Sequence, residues 1–180
     1  MRQYERFSNS YARQAANLLV DATAEGTTSL GVVAFSSSVT QNSEIQAIPS
    51  PGAVVKESIK QTIDAIYASG STALYDGAHL ALENLNLYQS TEGSGAPGVV
   101  FVLADGDDNS SYISEADVIT EYQNANIPIF TFGYGSASPT GPLLSLANGT
   151  GGKYFSSPTT LAEITDAFCK RMHLRPTAKI

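Results

Sequence analysis

Residues 98–109 read GVVFVLADGDDN, an apolar run that stops abruptly at a cluster of acidic residues. A mostly apolar run of this length predicts a strand covered by other elements on both faces. Asp105 follows directly, so its carboxylate is expected at the carboxyl edge of a sheet, and Gly106 permits a tight turn. Asp107 and Asp108 bring further negative charge into the same turn. Such crowding is costly unless water solvates the carboxylates or a cation draws them together.

Outward from this stretch, the chain alternates between strand-like and helix-like periodicity. The alternation predicts an α/β fold, Rossmann-like and doubly wound, whose mainly parallel sheet has helices on both faces and one short antiparallel edge strand. Ligands of such folds bind at the carboxyl ends of the strands. Further strands are predicted at residues 29–35, 44–48, 127–133 and 153–155, and helices at 11–24, 55–66, 73–89, 114–125, 139–147 and from Thr160 onward.

Length and composition limit the possible classes of protein. The chain has 180 residues, which suits one α/β domain, predicted here at residues 1–174 with a tail at 175–180. A formal charge of −7 without a basic cluster argues against nucleic acid and anionic lipid as partners. No apolar run approaches about 20 residues, so direct membrane insertion is not expected.

Few side chains are available for soft-metal or nucleophilic chemistry. Cys169 is the one cysteine, and His79 and His173 are the two histidines. Any metal should therefore be a hard cation held by oxygens. The spacings required for an EF-hand, a phosphate loop, a dinucleotide fingerprint or a GxSxG nucleophile are not met.

Ser71 and Thr72 precede the helix predicted from residue 73, and two interpretations of them remain open. A hydroxyl at this position commonly caps the helix. It could instead face a metal. The acidic turn after residue 104 has the same two interpretations, because its carboxylates could simply be solvated near the N-terminus of the next helix.

Several segments together resemble a von Willebrand factor type A domain. The order and spacing of these segments agree from about residue 11 to 172. Within the family, the chain looks most like the domains of calcium-activated chloride channel regulators and bacterial surface proteins. The matching segments are GVVAF (31–35), GSTALYDGAHLALENL (70–85), VVFVLADGDDN (99–109), IPIFTFGYGS (127–136) and LLSLANGTGGKYF (143–155).

The resemblance implies a metal-ion-dependent adhesion site, in which Mg²⁺, or Mn²⁺ or Ca²⁺, bridges the domain to a carboxylate of a protein partner. The family builds this site from a DxSxS loop after its first strand, a threonine and a later aspartate. Thr72 falls on the threonine and Asp105 on the aspartate, with Ser71, Asp107 and Asp108 as an outer shell. The resemblance also favours an extracellular or cell-surface module of a larger protein.

One part of the family pattern is missing, namely the first strand with its DxSxS loop. Residues 6–10 (RFSNS) have two serines at the right spacing, but Arg6 stands where the aspartate should be. We therefore expect this chain alone to bind divalent cations weakly or not at all. In the family this strand lies centrally, so its two neighbours must either close up or offer unpaired edges to another segment or chain. Marginal stability or self-association is the expected consequence.

The function expected from the resemblance is a non-enzymatic protein-binding or adhesion module with a partial metal site. A scaffolding module with a vestigial site that binds no metal is the alternative. A metal-assisted hydrolase is a remote third, because the sequence offers no arrangement of base, nucleophile and oxyanion donors.

Overall fold

The computed structural model describes residues 2–67, 69–92, 97–133 and 140–156. Helices and strands alternate strictly in the second half of these residues, whereas the first half has two strands in succession followed by two helices. The elements are α1 (Arg2–Ala22), β1 (Ser29–Phe35), β2 (Val39–Ala47), α2 (Ala53–Asp64), α3 (Leu74–Thr91), β3 (Val100–Ala104), α4 (Glu115–Ala125), β4 (Ile129–Gly133), α5 (Thr140–Thr150) and β5 (Tyr154–Ser156).

The strands form two sheets. β1 and β2 are an antiparallel pair, whereas β3, β4 and β5 are parallel in that order. Within the described ranges, no ladder joins β1 to β3. The α/β class with one antiparallel edge strand is confirmed, and the two strands expected to flank the missing one have not closed up.

Helices cover both faces of the parallel sheet because its strands are apolar on both sides. Phe101 and Leu103 of β3 pack towards Leu19 of α1, in a cluster that includes the buried phenylalanines of β4. Val102 and Ala104, which alternate with them, pack on the opposite face against α3, α4 and α5. This alternation is the period of two expected of a strand, and it makes the parallel sheet doubly wound.

Three predicted boundaries are wrong in an informative way. The first helix begins at Arg2 rather than at residue 11, so the serine pair of residues 6–10 lies in a helix and not in a loop. The edge strand is longer than predicted, since its polar first half pairs with β1. Finally, α5 runs through the Asn148-Gly149 pair to Thr150 and is followed by Gly151 at a φ of +78°.

Some expectations fall outside the described residues. These are the closing helix from Thr160, the side chains of Cys169 and His173, and the tail at 175–180. In the part of the chain that the structure describes, no helix is long and apolar enough to cross a membrane.

Candidate functional site at the carboxyl edge of the sheet

The two residues predicted to contact a metal lie at the same edge of the fold. Asp105 directly follows β3 and is exposed, and Thr72 lies in the loop before α3. A Cβ placed on Gly106 would lie 3.3 Å from the Thr72 hydroxyl oxygen, so the turn after Asp105 adjoins that hydroxyl. The absence of a side chain at residue 106 leaves room for this approach.

The backbone of Thr72 is held by the loop that follows β3. Its N–H donates to the Asn109 side-chain oxygen at 2.7 Å. Its carbonyl accepts from the backbone N–H groups of Asn109 at 3.0 Å and Ser110 at 3.2 Å. Three hydrogen bonds therefore fix the two loops relative to each other.

The Asp108 side chain is hydrogen-bonded to the N-terminus of α3. One carboxylate oxygen accepts from the Leu74 N–H at 2.8 Å, the Tyr75 N–H at 3.4 Å and the Ser111 hydroxyl. The Ser111 hydroxyl in turn accepts from the N–H groups of Tyr75 at 3.0 Å and Asp76 at 3.2 Å. The first amides of α3 are thus capped by the β3–α4 loop, where a negative charge is favourable.

This capping arrangement corrects one interpretation of the sequence. The N-cap residue of α3 is Ala73, which makes no side-chain cap. Neither Ser71 nor Thr72 therefore caps the helix. The cap comes instead from residues more than thirty positions later in the chain, which local spacing does not reveal.

Asp76, in the first turn of α3, accepts hydrogen bonds from the backbone of the β3–α4 loop. Its carboxylate accepts from the Tyr112 N–H at 2.9 Å and from the Ile113 N–H at 3.1 Å. The β3–α4 loop and the first turn of α3 therefore exchange hydrogen bonds in both directions. These bonds hold the β3–α4 loop and the start of α3 together at the carboxyl edge of the sheet.

Ser37 is a residue of this edge that the sequence analysis missed. It follows β1, and its hydroxyl accepts from the Ser71 N–H at 3.0 Å. The sequence contains a sign of this residue's position. The apolar strand predicted at residues 29–35 is followed directly by three serines, Ser36, Ser37 and Ser38. Residues that follow such a strand lie at the carboxyl edge of an α/β sheet.

Tyr75 and Glu115 link this edge to α4. The Tyr75 hydroxyl donates to Glu115 Oε2 at 2.6 Å. Burial, reinforced by this hydrogen bond to Glu115, raises the pKa of Tyr75 well above its ordinary value. Tyr75 is therefore a neutral hydrogen-bond donor across the physiological range of pH.

The described residues of this edge supply few of the oxygen ligands that Mg²⁺ needs. Mg²⁺ requires near-octahedral oxygen coordination. The edge has the Thr72 hydroxyl and the exposed carboxylates of Asp105 and Asp107, whereas one carboxylate oxygen of Asp108 is used in capping α3. Across the described ranges, no group of three or more His, Cys, Asp or Glu side chains is arranged to hold a metal ion.

The fold and this edge define a class, the α/β domains that bind ligands at the carboxyl ends of their strands. The von Willebrand factor type A domain family matches residues 3–168 of the chain. The chain belongs to this family, as the segments quoted above led us to expect. Members of the family are generally protein-interaction modules without enzymatic activity, and they are often extracellular or at the cell surface.

Solved structures share the fold at low sequence identity. A von Willebrand factor type A protein from Catenulispora acidiphila is 21% identical, with a TM-score of 0.76, over 94% of this chain and 39% of that one. The conserved hypothetical protein BatB from Bacteroides thetaiotaomicron is 13% identical, with a TM-score of 0.68, over 93% of this chain and 89% of that one.

A third similar structure holds a metal. It is proximal thread matrix protein 1 from the mussel byssus, in which zinc occupies the MIDAS motif, the metal-ion-dependent adhesion site. That protein is 23% identical, with a TM-score of 0.63, over 89% of this chain and 41% of that one. This chain therefore spans about two fifths of the Catenulispora and mussel proteins. Comparison with curated protein sequences finds no match.

Proposed function

We propose that the chain is a non-enzymatic protein-binding module that contacts its partner at the carboxyl edge of the sheet, through Thr72 and Asp105. The main support is the approach of the turn after Asp105 to the Thr72 hydroxyl, marked by the 3.3 Å distance at Gly106. Thr72 and Asp105 are the two residues that match the family's site. The backbone of Thr72 is fixed by hydrogen bonds to the loop that follows β3, so an interaction at Thr72 costs little ordering entropy.

A divalent cation is the second part of the proposal. Thr72 and Asp105 would hold it, with Ser71 and Asp107 nearby, and it would supply a positive charge that attracts a carboxylate of the partner. Two protein donors leave most of the coordination shell to water. We therefore propose that the isolated chain binds Mg²⁺, Mn²⁺ or Ca²⁺ weakly or not at all, and that a partner carboxylate strengthens the binding.

Scaffolding is the second candidate function, and the capping by Asp108 favours it. A carboxylate that stabilises the N-terminus of α3 is useful to the fold whether or not a metal ever binds. In that case Thr72 and Asp105 would be vestiges of the family's site.

Calorimetric titration tests the cation proposal. We expect Mg²⁺, Mn²⁺ and Ca²⁺ each to give weak or undetectable heats with the chain alone. Micromolar binding that is abolished in Asp105→Ala and retained in Glu44→Ala, an exposed acidic residue of β2, would show that the site is self-sufficient and overturn this proposal.

Capture of carboxylate-bearing peptides separates adhesion from scaffolding. The chain is immobilised and exposed to an array of Asp- and Glu-containing peptides in Mg²⁺ and then in EDTA. Adhesion requires capture that is lost in EDTA and in Asp105→Ala but kept in Glu44→Ala. Capture that is absent, or unaffected by EDTA, favours scaffolding.

A further inference from the structure

Tyr112 lies in the β3–α4 loop at the carboxyl edge, and its side chain is 100% exposed. The residues on either side of it are held in place. The Ser111 hydroxyl accepts from the Tyr75 N–H at 3.0 Å, and Ile113 packs against the large buried core. The ring of Tyr112 is therefore presented to solvent from a fixed point of the loop.

The backbone of Tyr112 is itself bonded to α3. Its N–H donates to the two carboxylate oxygens of Asp76, at 2.9 and 3.1 Å, and the Ile113 N–H donates to the same carboxylate at 3.1 Å. A partner that covers the ring has little more to order than a side chain with two χ angles. Tyrosine is enriched among the residues that carry most of the binding energy of protein interfaces. Tyr112 has the exposure and the fixed backbone of such an anchor.

The charge of this part of the chain indicates the chemistry of the partner. From residue 61 to residue 152, the sequence contains ten Asp and Glu residues and neither Lys nor Arg. The lysines that form ion pairs within the described ranges, Lys56 and Lys60, belong to α2. The β3–α4 loop and the two helices beside it therefore carry an excess of negative charge, which attracts cations.

An aromatic ring in these surroundings favours a basic side chain over an apolar one. The faces of the ring carry partial negative charge and attract Lys or Arg. The Asp76 carboxylate, which is bonded to the Tyr112 N–H, adds a full negative charge near the base of the side chain. An apolar partner would desolvate this carboxylate without compensation, whereas a cation would be attracted to both groups.

The negative charge continues along α3 and α4. Glu83 Oε1 lies 3.6 Å from His79 Nε2, and Glu121 Oε2 lies 2.7 Å from His79 Nδ1. These two carboxylates, with Asn86 and Asn124, border a groove of about 470 Å³ between the helices. The potential along this face therefore steers basic partners rather than acidic ones towards the loop.

The distance from Tyr112 to Thr72 limits the spacing of charges in the partner. Tyr112 is bonded to Asp76, which comes four residues after Thr72. Four residues span at most about 14 Å, and an extended segment of the partner covers that distance in about four residues.

We propose that Tyr112 binds an arginine or lysine side chain of the protein partner, and that this basic residue lies within about four residues of the partner's carboxylate. Arginine is the better fit, because its planar guanidinium stacks on an aromatic face. This inference rests on the proposed function, since it places the same partner at the same edge, and it adds the partner's charge pattern. The contact with the ring needs no metal.

The test uses synthetic peptides with blocked termini, Asp-Gly-Ser-Gly-Arg and the reverse order, each also made with citrulline in place of arginine. Citrulline keeps the planar group but has no charge. Binding is followed by the amide chemical shifts of the isotope-labelled chain. We expect the arginine peptides to bind about two- to fivefold more tightly than the citrulline peptides, in EDTA as well as in Mg²⁺. Equal affinities would overturn the proposal.

Three variants locate the contact. Tyr112→Leu keeps an apolar side chain but removes the ring, so the preference for arginine over citrulline should disappear. Tyr112→Phe keeps the ring and should keep the preference. Tyr67→Leu removes another tyrosine, which is 69% exposed, and should leave the preference unchanged. If the preference survived in Tyr112→Leu, it would come from the overall charge and not from the ring, and the proposal would be wrong.

Asp105→Ala distinguishes failure of this inference from failure of the proposed function. If the proposed function fails, Mg²⁺ strengthens the binding of neither peptide, yet the preference for arginine still depends on Tyr112. If only this inference fails, Mg²⁺ strengthens peptide binding in the wild type and not in Asp105→Ala, whereas arginine and citrulline peptides bind alike. Absence of any shift at the Tyr112 and Ile113 amides on addition of the arginine peptides would also overturn the inference.

Discussion

Asp108 and Asp107 are neighbours in the sequence but have different surroundings. Asp108 accepts hydrogen bonds from the first amides of α3, whereas Asp107 is exposed. Asp108→Ala should lower the free energy of unfolding by about 1 to 2 kcal/mol, because it removes a helix cap. Asp107→Ala should change it by less than about 0.5 kcal/mol.

Urea denaturation of both variants in EDTA checks this prediction. If Asp108→Ala proved as stable as Asp107→Ala without metal, the capping role would be refuted.

Tyr122 makes stability depend on alkaline pH. Its side chain is fully buried, its hydroxyl donates to the Ala78 carbonyl at 2.6 Å, and burial raises its pKa far above the ordinary value. The unfolded chain loses this proton near pH 10, whereas the folded chain keeps it. Stability is therefore intact below about pH 10 and should fall above it, by up to about 1.4 kcal/mol per pH unit from this residue.

The measurement is the difference in unfolding free energy between wild type and Tyr122→Phe as the pH rises above 10. We expect the variant to have the shallower decline. Tyr112→Phe is the control, because Tyr112 is 100% exposed and should leave the slope unchanged. Identical slopes in all three proteins would contradict the prediction.

At the scale of elements, the close approach of the α5–β5 connection to β4 depends on a glycine. A Cβ at Gly152 would overlap the backbone carbonyl of Ile129, which cannot move away without distorting β4. Gly152→Ala should therefore cost about 3 kcal/mol or more, at the upper end of overpacking.

Gly141→Ala is the matched control within α5, since a Cβ there meets nothing within 4 Å. Gly141 lies in the first turn of α5 and precedes Pro142, where alanine gains little of its usual helix preference, so this variant should change the free energy of unfolding by less than about 0.5 kcal/mol. Thermal unfolding of the two variants measures both effects. A tolerated Gly152→Ala would show that β4 and β5 do not pack as described.

Elements with an apolar period were predictable, and those with polar sequences were not. β1 was predicted with its observed bounds because SLGVVAF is almost wholly apolar. The start of β2 was missed because it is polar, and it is a strand because it pairs with β1, a contact that local sequence does not encode. The start of α1 was also missed, although Tyr4, Phe7 and Tyr11 stand at helical spacing.

The same division applies to the candidate site. Thr72 and Asp105 drew attention because each directly precedes or follows a recognisable element, and the family resemblance gave them the metal role, which stays a prediction. The hydrogen bonds of Asp108 to α3, and of Ser37 to Ser71, join residues more than thirty positions apart. Because no local spacing encodes such pairs, the sequence could suggest the candidate residues but not the hydrogen bonds that hold their loops in place.

For the molecule as a whole, the division into two sheets predicts unequal local stability. β3 and β4 share the large core that α3, α4 and α5 cover. The hairpin of β1 and β2 depends on a smaller cluster formed by Val20, Ile48, Ile59 and Ile63. With no ladder joining β1 to β3 in the described ranges, the hairpin can open without breaking the parallel sheet.

Native-state hydrogen exchange should therefore give two classes of opening free energy. We expect amides of β1, β2 and α2 to exchange through a lower-energy opening than those of β3 and β4. One common value for all of these amides would indicate a single cooperative unit and contradict the prediction.

Asp105 belongs to two surfaces, since it lines a cleft of about 760 Å³ between the two sheets and also stands at the carboxyl edge. Two ligands that shared this carboxylate would not bind independently. By thermodynamic reciprocity, the factor by which a ligand in the cleft would change affinity at the edge equals the factor by which an edge ligand would change affinity in the cleft. Asp105 would therefore couple the two surfaces energetically.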